Sequence, residues 1–185
     1  AGGSGVLGAN IPDEYIYILQ GKRDRFKERM NKKNWTLTLS GSDSTGSGVT
    51  ITLTDDSKDT SYTATNSIYG KKFNIVSGSA GTVHTSSAHK TYGFYYPEAG
   101  FMIFSGAELS ASIPGQSASL ATTSSFGASL TAGSHLTGSG FGPNLDNKGN
   151  AQNALRLVTC MRNVGTDEQR FRSAQIQNKK SYFLN

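Results

Sequence analysis

Histidine side chains are the first place to look for chemistry, and in this chain they stand apart from other reactive groups. His84 and His89 are five residues apart in a Ser/Thr-rich stretch, and His135 lies in another polar stretch. A metal site needs three or four converging ligands, usually drawn from histidine, cysteine and carboxylate side chains. No cysteine or carboxylate is close to His84 and His89, so we expect solvated loop histidines and no metal ion.

The acidic residues also lack a catalytic spacing. Asp55, Asp56 and Asp59 follow a predicted strand without the alternating pattern of a calcium-binding loop, so a loose calcium contact is the alternative to a plain turn. Glu98 falls in a predicted turn. The glycine-rich segment 138–142 lacks the Lys-Ser/Thr ending of a phosphate-binding loop, and no G-x-S-x-G motif occurs. We therefore expect no catalytic or cofactor-binding residues, and a protein that is not an enzyme.

The composition is typical of a β-rich protein with a small core. Of the 185 residues, 35 % are hydrophobic and 17 % are charged, and Ser, Thr, Gly and Asn are abundant. This balance favours a β-rich extracellular or viral structural protein over a charged disordered chain. Burial between subunits would add to a core of this size. Cys160 is the single cysteine, which excludes an intrachain disulfide, and we expect it to be a small buried hydrophobe.

The two ends of the chain have a distinct character. Residues 1–10 are rich in glycine and without a period, which predicts a flexible arm. The chain begins without methionine and ends on Tyr182-Phe183-Leu184-Asn185, which resembles an interrupted strand. We expect a segment of a longer or processed chain. The chain contains no run of about 18 apolar residues, which a transmembrane helix would need, so we expect no membrane partner.

A basic segment at 22–33 carries the net charge of the chain. Its seven basic residues, less Asp24 and Glu28, make +5, which equals the charge of the whole chain. The segment is either a solvated face or a docking surface for an acidic neighbour. We do not expect nucleic acid to bind it, because Phe26 is its one ring for base stacking. Its candidate subunit-contact residues are Lys22, Arg23, Arg25, Lys27 and Arg29.

The strongest structural signal is a β-hairpin at 92–105, with the sequence YGFYYPEAGFMIFS. Pro97 presets the first corner of a turn and Gly100 accepts the positive φ that closes it. Both arms are apolar on nearly every residue, so both faces of the hairpin require cover, from the same chain or from another. Its candidate subunit-contact residues are Tyr92, Phe94, Tyr96, Phe101 and Phe104.

Shorter patterns predict the remaining elements. Residues 35–39 and 49–54 alternate between apolar residues and threonine, which predicts a second hairpin, and 73–76 predicts a short strand. The residues after Pro12 form either one helix or a strand at 15–19 followed by a short helix at 22–31. A helix is predicted over 151–163, capped by Asn150. Its expected apolar side consists of Ala151, Ala154, Leu155, Val158 and Met161.

Together these elements predict a mainly β fold, a small antiparallel sandwich or sheet with one or two helices. We expect an extended N-terminal arm at 1–10 and a single β-rich domain at 11–185. The stretch at about 105–149 is rich in Ser, Gly and Ala. It is too long for an ordinary loop inside a compact domain, so we interpret it as a projecting insertion.

Six short strings, in this order along the chain, resemble virion structural proteins of T4-like phages that infect cyanobacteria. The resemblance covers roughly residues 22–185, with the middle insertion poorly matched. The strings are RFKERM at 25–30, NWTL at 34–37, ITLTDDS at 51–57, NIVSGS at 74–79, YGFYYPEAG at 92–100 and SYF at 181–183.

The resemblance implies a virion component of the contractile tail or baseplate and implies no catalytic residues. We therefore expect a structural subunit located in the virion, with other virion proteins and copies of itself as partners. The alternative is a module of a tail appendage that binds host-surface polysaccharide, with a glycan as partner. The orientation of the tyrosines discriminates between the two, because an outward cluster favours glycan binding and a buried one favours a scaffold.

Overall fold

This computed structural model describes residues 13, 16–26, 28–59, 64–84, 90–115, 126, 147–162 and 173–174. Within them the protein is mainly β, with a curled antiparallel sheet and two α-helices, which confirms the predicted fold class. The arm predicted at 1–10, most of the insertion predicted at 105–149, Lys27 and the side chain of Arg25 lie outside the described residues.

The described elements are β1 (Ile16–Gln20), β2 (Arg29–Met30), β3 (Leu37–Ser42), β4 (Gly48–Asp55), β5 (Thr65–Ser67), β6 (Gly70–Ser79), β7 (Thr82–Val83), β8 (Thr91–Tyr96), β9 (Phe101–Ser105), α1 (Gly106–Ser112), α2 (Asn147–Arg162) and β10 (Ser173–Ala174). The main sheet contains eight of these strands, and β1-β9-β8-β6-β4-β3 lie side by side in antiparallel pairs. β5 and β7 pair with the long central strand β6, and β10 pairs with β2 in a separate small sheet.

Both predicted hairpins are confirmed. β3 and β4 pair in the register Leu37↔Leu53, and these leucines are fully buried. In the β8–β9 hairpin, Gly100 has φ 77° and its N–H donates to the carbonyl oxygen of Tyr96 at 2.8 Å, which closes the turn. Local alternation and turn chemistry therefore predicted these two elements, because both act between residues close in the chain.

The concave face of the sheet carries the core, which α1 and α2 cover. Cys160 and Leu157 of α2 are buried among side chains of the sheet. The aromatic ring of Phe126, inside the predicted insertion, packs edge-on against Tyr17 with 5.3 Å between ring centroids. The sheet side chains of this core are Tyr17, Leu37, Leu39, Leu53, Phe73, Ile75, Tyr95, Met102 and Phe104.

The predicted insertion begins with an unpredicted helix. Ser105 caps α1, since its hydroxyl oxygen accepts from the N–H of Glu108 at 3.2 Å and donates to Asp13 at 2.7 Å. The N–H of Phe126 donates to the carbonyl oxygen of Ile113 at 2.9 Å. These contacts anchor the described part of 105–149 on the core. The helix forms in a Ser-rich stretch because serine is a good N-terminal capping residue.

Two predicted elements require correction. The strand at 15–19 is confirmed as β1, but the helix at 22–31 is a single 3-10 turn at Arg23–Arg25 followed by β2, because this segment docks on the β8–β9 turn. Helix α2 begins at Asn147 and not after Asn150. Its buried side carries Leu157 and Cys160, whereas Leu155 and Val158, predicted to face inward, are about half exposed.

Within the described residues, no helix is long and apolar enough to cross a membrane.

Candidate functional site

The convex face of β1, β9 and β8 carries apolar side chains in register. Ile18 pairs with Ile103, which pairs with Phe94, and in the next row Gln20, Phe101 and Tyr96 are neighbours. These residues alternate with the core residues, so their side chains point away from the core. We call the side chains of Ile16, Ile18, Ile103, Phe94, Phe101 and Tyr96 the outer apolar face. Ile16 and Ile18 are 44 % and 59 % exposed.

A cluster of three rings lies at one end of this face. Tyr96 stacks on Phe101 with 4.7 Å between ring centroids, and Tyr69 from the β5–β6 turn meets both rings edge-on, at 6.2 and 5.7 Å. Tyr69 remains 55 % exposed. Burial raises the pKa of Tyr96, and the neighbouring Tyr69 adds to the effect. The cluster therefore presents one accessible ring on a packed aromatic base.

The two turns that form this cluster fit closely together. Gly70, next to Tyr69, has φ 95°, a conformation that favours glycine. The side chain of Glu98, from the β8–β9 turn, occupies the space that a Cβ atom on Gly70 would need, with its Cδ 2.7 Å from that position. The position of Tyr69 thus depends on the packing of one turn against the other.

Lysine side chains border the aromatic residues. The ammonium of Lys72 lies 4.2 Å from the ring centroid of Phe94, and that of Lys32 lies 4.8 Å from the ring of Phe73, both within cation–π range. Burial lowers the pKa of Lys32, and the charges of Arg29 and Lys71 lower it further. Phe73 belongs to the core, so Lys72 is the lysine of this pair that borders the outer apolar face, where its charge suits an acidic partner.

The basic segment is held against the β8–β9 turn. The N–H of Gly21 donates to the carbonyl oxygen of Gly100, and that of Met30 to Pro97, both at 2.9 Å. Phe26 is buried against Gly100. The guanidinium of Arg23 lies 4.8 Å from the Phe26 ring centroid. Docking through one buried ring leaves the side chains of Lys22 and Arg23 exposed.

Six described candidate contact residues lie at the surface, and two do not. Lys22 and Arg23 are exposed, Arg29 is half-buried, and Phe94, Tyr96 and Phe101 are half-buried on the outer apolar face. In contrast, Tyr92 and Phe104 are only 6 % and 0 % exposed and belong to the core.

The burial of Tyr92 and Phe104 has two physical causes. Phe104 lies on the opposite face of β9 from Phe101, because the two are an odd number of residues apart. The register between β6 and β8 shifts at Ile75/Val76, opposite Tyr92. The Tyr92 hydroxyl consequently lies 3.0 Å from Ser112 of α1. These two residues are therefore not available to a partner at this surface.

The described acidic and cysteine side chains that the sequence singled out serve structural roles. The Asp55 carboxylate accepts from the N–H of Lys33 at 3.0 Å, and that of Asp56 accepts from the Asn74 amide at 2.7 Å. Burial raises the pKa of Asp56, and it raises the pKa of the Cys160 thiol to about 12. No group of three or more histidine, cysteine or acidic side chains in the described ranges is placed to hold a metal ion. His84 is exposed, and His89 and His135 lie outside those ranges.

Sequence reasoning missed Ile18 and Lys72 as surface residues of this site. The alternation in Ile16-Tyr17-Ile18-Leu19-Gln20 was an available signal, but a helix also fitted the stretch.

Comparisons with protein-family models, curated proteins and solved structures found no match to this chain.

Proposed function

We propose that this protein is a non-enzymatic structural subunit of a tailed-phage particle and that its outer apolar face contacts another subunit. The observation that carries the proposal is the continuous set of outward apolar side chains across β1, β9 and β8. The virion location, in the tail or baseplate, rests on the sequence resemblance.

The two halves of the same sheet differ on their convex side. On β3 and β4, the pairs Thr38↔Thr52 and Ser40↔Thr50 occupy that side. Thr38 is buried, whereas Thr50 is exposed and Ser40 and Thr52 are half-buried, so the outer part of this half is a polar, wet face. On β8 and β9 the corresponding pairs are Phe94↔Ile103 and Tyr96↔Phe101. Contiguous apolar surface of this kind marks interaction sites in soluble proteins. A contact localised on β1, β9 and β8 accounts for the difference.

The surrounding charge supports a protein partner with acidic residues. Lys72 flanks the outer apolar face on one side, and Lys22 and Arg23 follow β1 on the other. An apolar centre with a charged rim is the usual anatomy of a protein–protein contact. The rim charges would mainly steer association and select the partner, while the apolar centre would supply most of the binding energy.

Site-specific photocrosslinking in the assembled particle tests this proposal. A photoreactive phenylalanine analogue replaces Phe94 on the outer apolar face or, as the control, Thr50 on the polar half of the same convex side. We expect crosslinks to another subunit from position 94 and none from position 50. Equal crosslinking from both positions, or absence of the protein from purified particles, would contradict the proposal.

One observation favours polysaccharide binding as a second candidate function. Tyr69 exposes its ring above Tyr96 and Phe101, and a flat exposed ring beside polar residues suits stacking against a sugar. On a glycan array, Tyr69→Ser should abolish binding and Tyr69→Phe should retain it. Binding that is unaffected by Tyr69→Ser would exclude this ring as the sugar site.

A further inference from the structure

β1 ends the main sheet, and among the described residues it pairs with β9 alone. One contact shows which residues of β1 form hydrogen bonds with β9. Gly21 continues the β1–β9 register opposite Gly100, and its N–H donates to the Gly100 carbonyl oxygen at 2.9 Å. In an antiparallel pair such bonded positions alternate along the strand. Tyr17 and Leu19 therefore bond to β9.

The backbone groups of Ile16, Ile18 and Gln20 consequently point to the open side of β1. A row of such N–H and C=O groups is a template for another strand. Natural proteins protect these edges with charged residues, proline or a bulge, and β1 contains no charge and no proline. Its two isoleucines are also exposed at this edge. β1 thus has the features of an edge that is paired in the working state of the protein.

The opposite edge of the sheet differs. β3 lies against α2, and the carbonyl oxygen of Ser42 accepts from the N–H of Gly115 at 2.8 Å. This contact occupies part of the edge. Strand addition is therefore directed to β1.

We propose that β1 pairs with β1 of a second copy, antiparallel and about a two-fold axis at Ile18. This register matches Ile16 of each copy with Gln20 of the other, and each of the three bonded pairs forms two hydrogen bonds, about six in total. It also overlaps the full length of both strands. An isologous contact of this kind is the commonest geometry of soluble homodimers.

Charge on either side of β1 favours a second copy in this orientation. Asp13, whose carboxylate also accepts from Ser105, and Glu14 precede the strand in the sequence, and Lys22 and Arg23 follow it. Antiparallel pairing brings the basic end of one strand beside the acidic end of the other, whereas parallel pairing would bring like charges together. The outer apolar faces of the two copies also become continuous. The pairing deepens the proposed structural function and rests on it.

A charge-swap experiment on the full chain tests the pairing. At the two-fold axis, Ile18→Lys places two ammonium groups side by side, and Ile18→Glu places two carboxylates. Like charges directly opposite destabilise a strand pair and opposite charges stabilise it. By sedimentation we expect the parent to dimerise, each variant to dissociate at least about tenfold more readily, and an equimolar mixture to regain the dimer. Ile68→Lys, at an 89 % exposed turn position, is the matched control and should dimerise like the parent.

Amide hydrogen exchange provides a second measurement at the level of single residues. In the parent dimer all five amides of β1 should be protected. In Ile18→Lys the amides of Ile16 and Gln20 should exchange rapidly, while those of Tyr17 and Leu19, which bond to β9, remain protected.

Three results would overturn the pairing: a parent that is monomeric at every concentration, an Ile18→Lys variant that dimerises like the parent, or a mixture that stays monomeric. None of them bears on crosslinking from position 94, which tests the structural function separately.

Discussion

Replacing Gly100 by alanine should detach the basic segment from the β8–β9 turn. Gly100 has φ 77°, and a non-glycine residue there loses about 1–2 kcal/mol. The new Cβ atom would lie 2.6 Å from Cε1 and 3.0 Å from Cε2 of Phe26, with Cζ nearer still, so the ring must leave its buried site. Loss of that burial removes about 1.5–3 kcal/mol.

The lower entropy of alanine in the unfolded chain returns about 0.4–1 kcal/mol. The free energy of unfolding should therefore fall by about 2–4 kcal/mol, a large part of the 5–15 kcal/mol typical of a domain. Urea titration followed by fluorescence measures it directly, because Trp35 is the single tryptophan and is buried. Trypsin should also cleave the basic segment faster in the variant, since displacement of Phe26 exposes its lysine and arginine bonds.

Gly48→Ala is the matched control. A Cβ atom at Gly48 has no neighbour within 4 Å, so this variant should keep the entropy gain and be as stable as the parent or up to about 1 kcal/mol more stable. In a Phe26→Ala background the clash disappears, and Gly100→Ala should then lose only the backbone part less the entropy return, about 0–1.5 kcal/mol. Equal stability of the two single glycine variants would refute the reasoning.

Three further predictions concern buried groups. The Thr54 hydroxyl donates to the Trp35 carbonyl oxygen and accepts from the Gly81 N–H, both at 2.8 Å. Thr54→Val removes both bonds, so the free energy of unfolding in urea titrations should fall by about 2–4 kcal/mol, whereas Thr50→Val should be nearly neutral. Burial holds the pKa of Asp56 above 3.8, so its contribution is full below that pH and declines as the pH rises through the folded-state pKa. The stability of the parent relative to Asp56→Asn should fall as the pH rises above 3.8, and an unchanging difference would contradict this. At pH 8, the Cys160 thiol should react with a thiol reagent about a thousandfold more slowly in the native protein than in urea, because burial raises its pKa from 9.0 to about 12.

The sequence contained enough local information to predict the hairpins. β3 and β4 alternate, and their loop is composed of small polar residues. Pro97 and Gly100 predict the β8–β9 turn at the observed place. In each case the deciding interactions join residues near in the chain, so a pattern a few residues long determines the outcome.

The candidate site could be predicted only in part. Alternation along 92–104 separates an outward set from an inward set, but it cannot show the register shift that directs Tyr92 to α1. Tyr69 reaches Tyr96 because two distant turns pack together, and no local pattern encodes that contact. The exposed position of Ile18 likewise depends on β1 pairing with β9, which joins residues far apart in the chain.

Helix α2 illustrates the same limit. Its period predicted a helix, but apolar residues lie on two sides of it, and the sheet selects the side with Leu157 and Cys160. The sequence by itself determined the β-rich class, the two hairpins and the presence of a helix over most of 151–162. The tertiary structure alone decided which strand lies at the edge and which faces remain open, because those outcomes depend on the pairing of distant segments that compete for the same core.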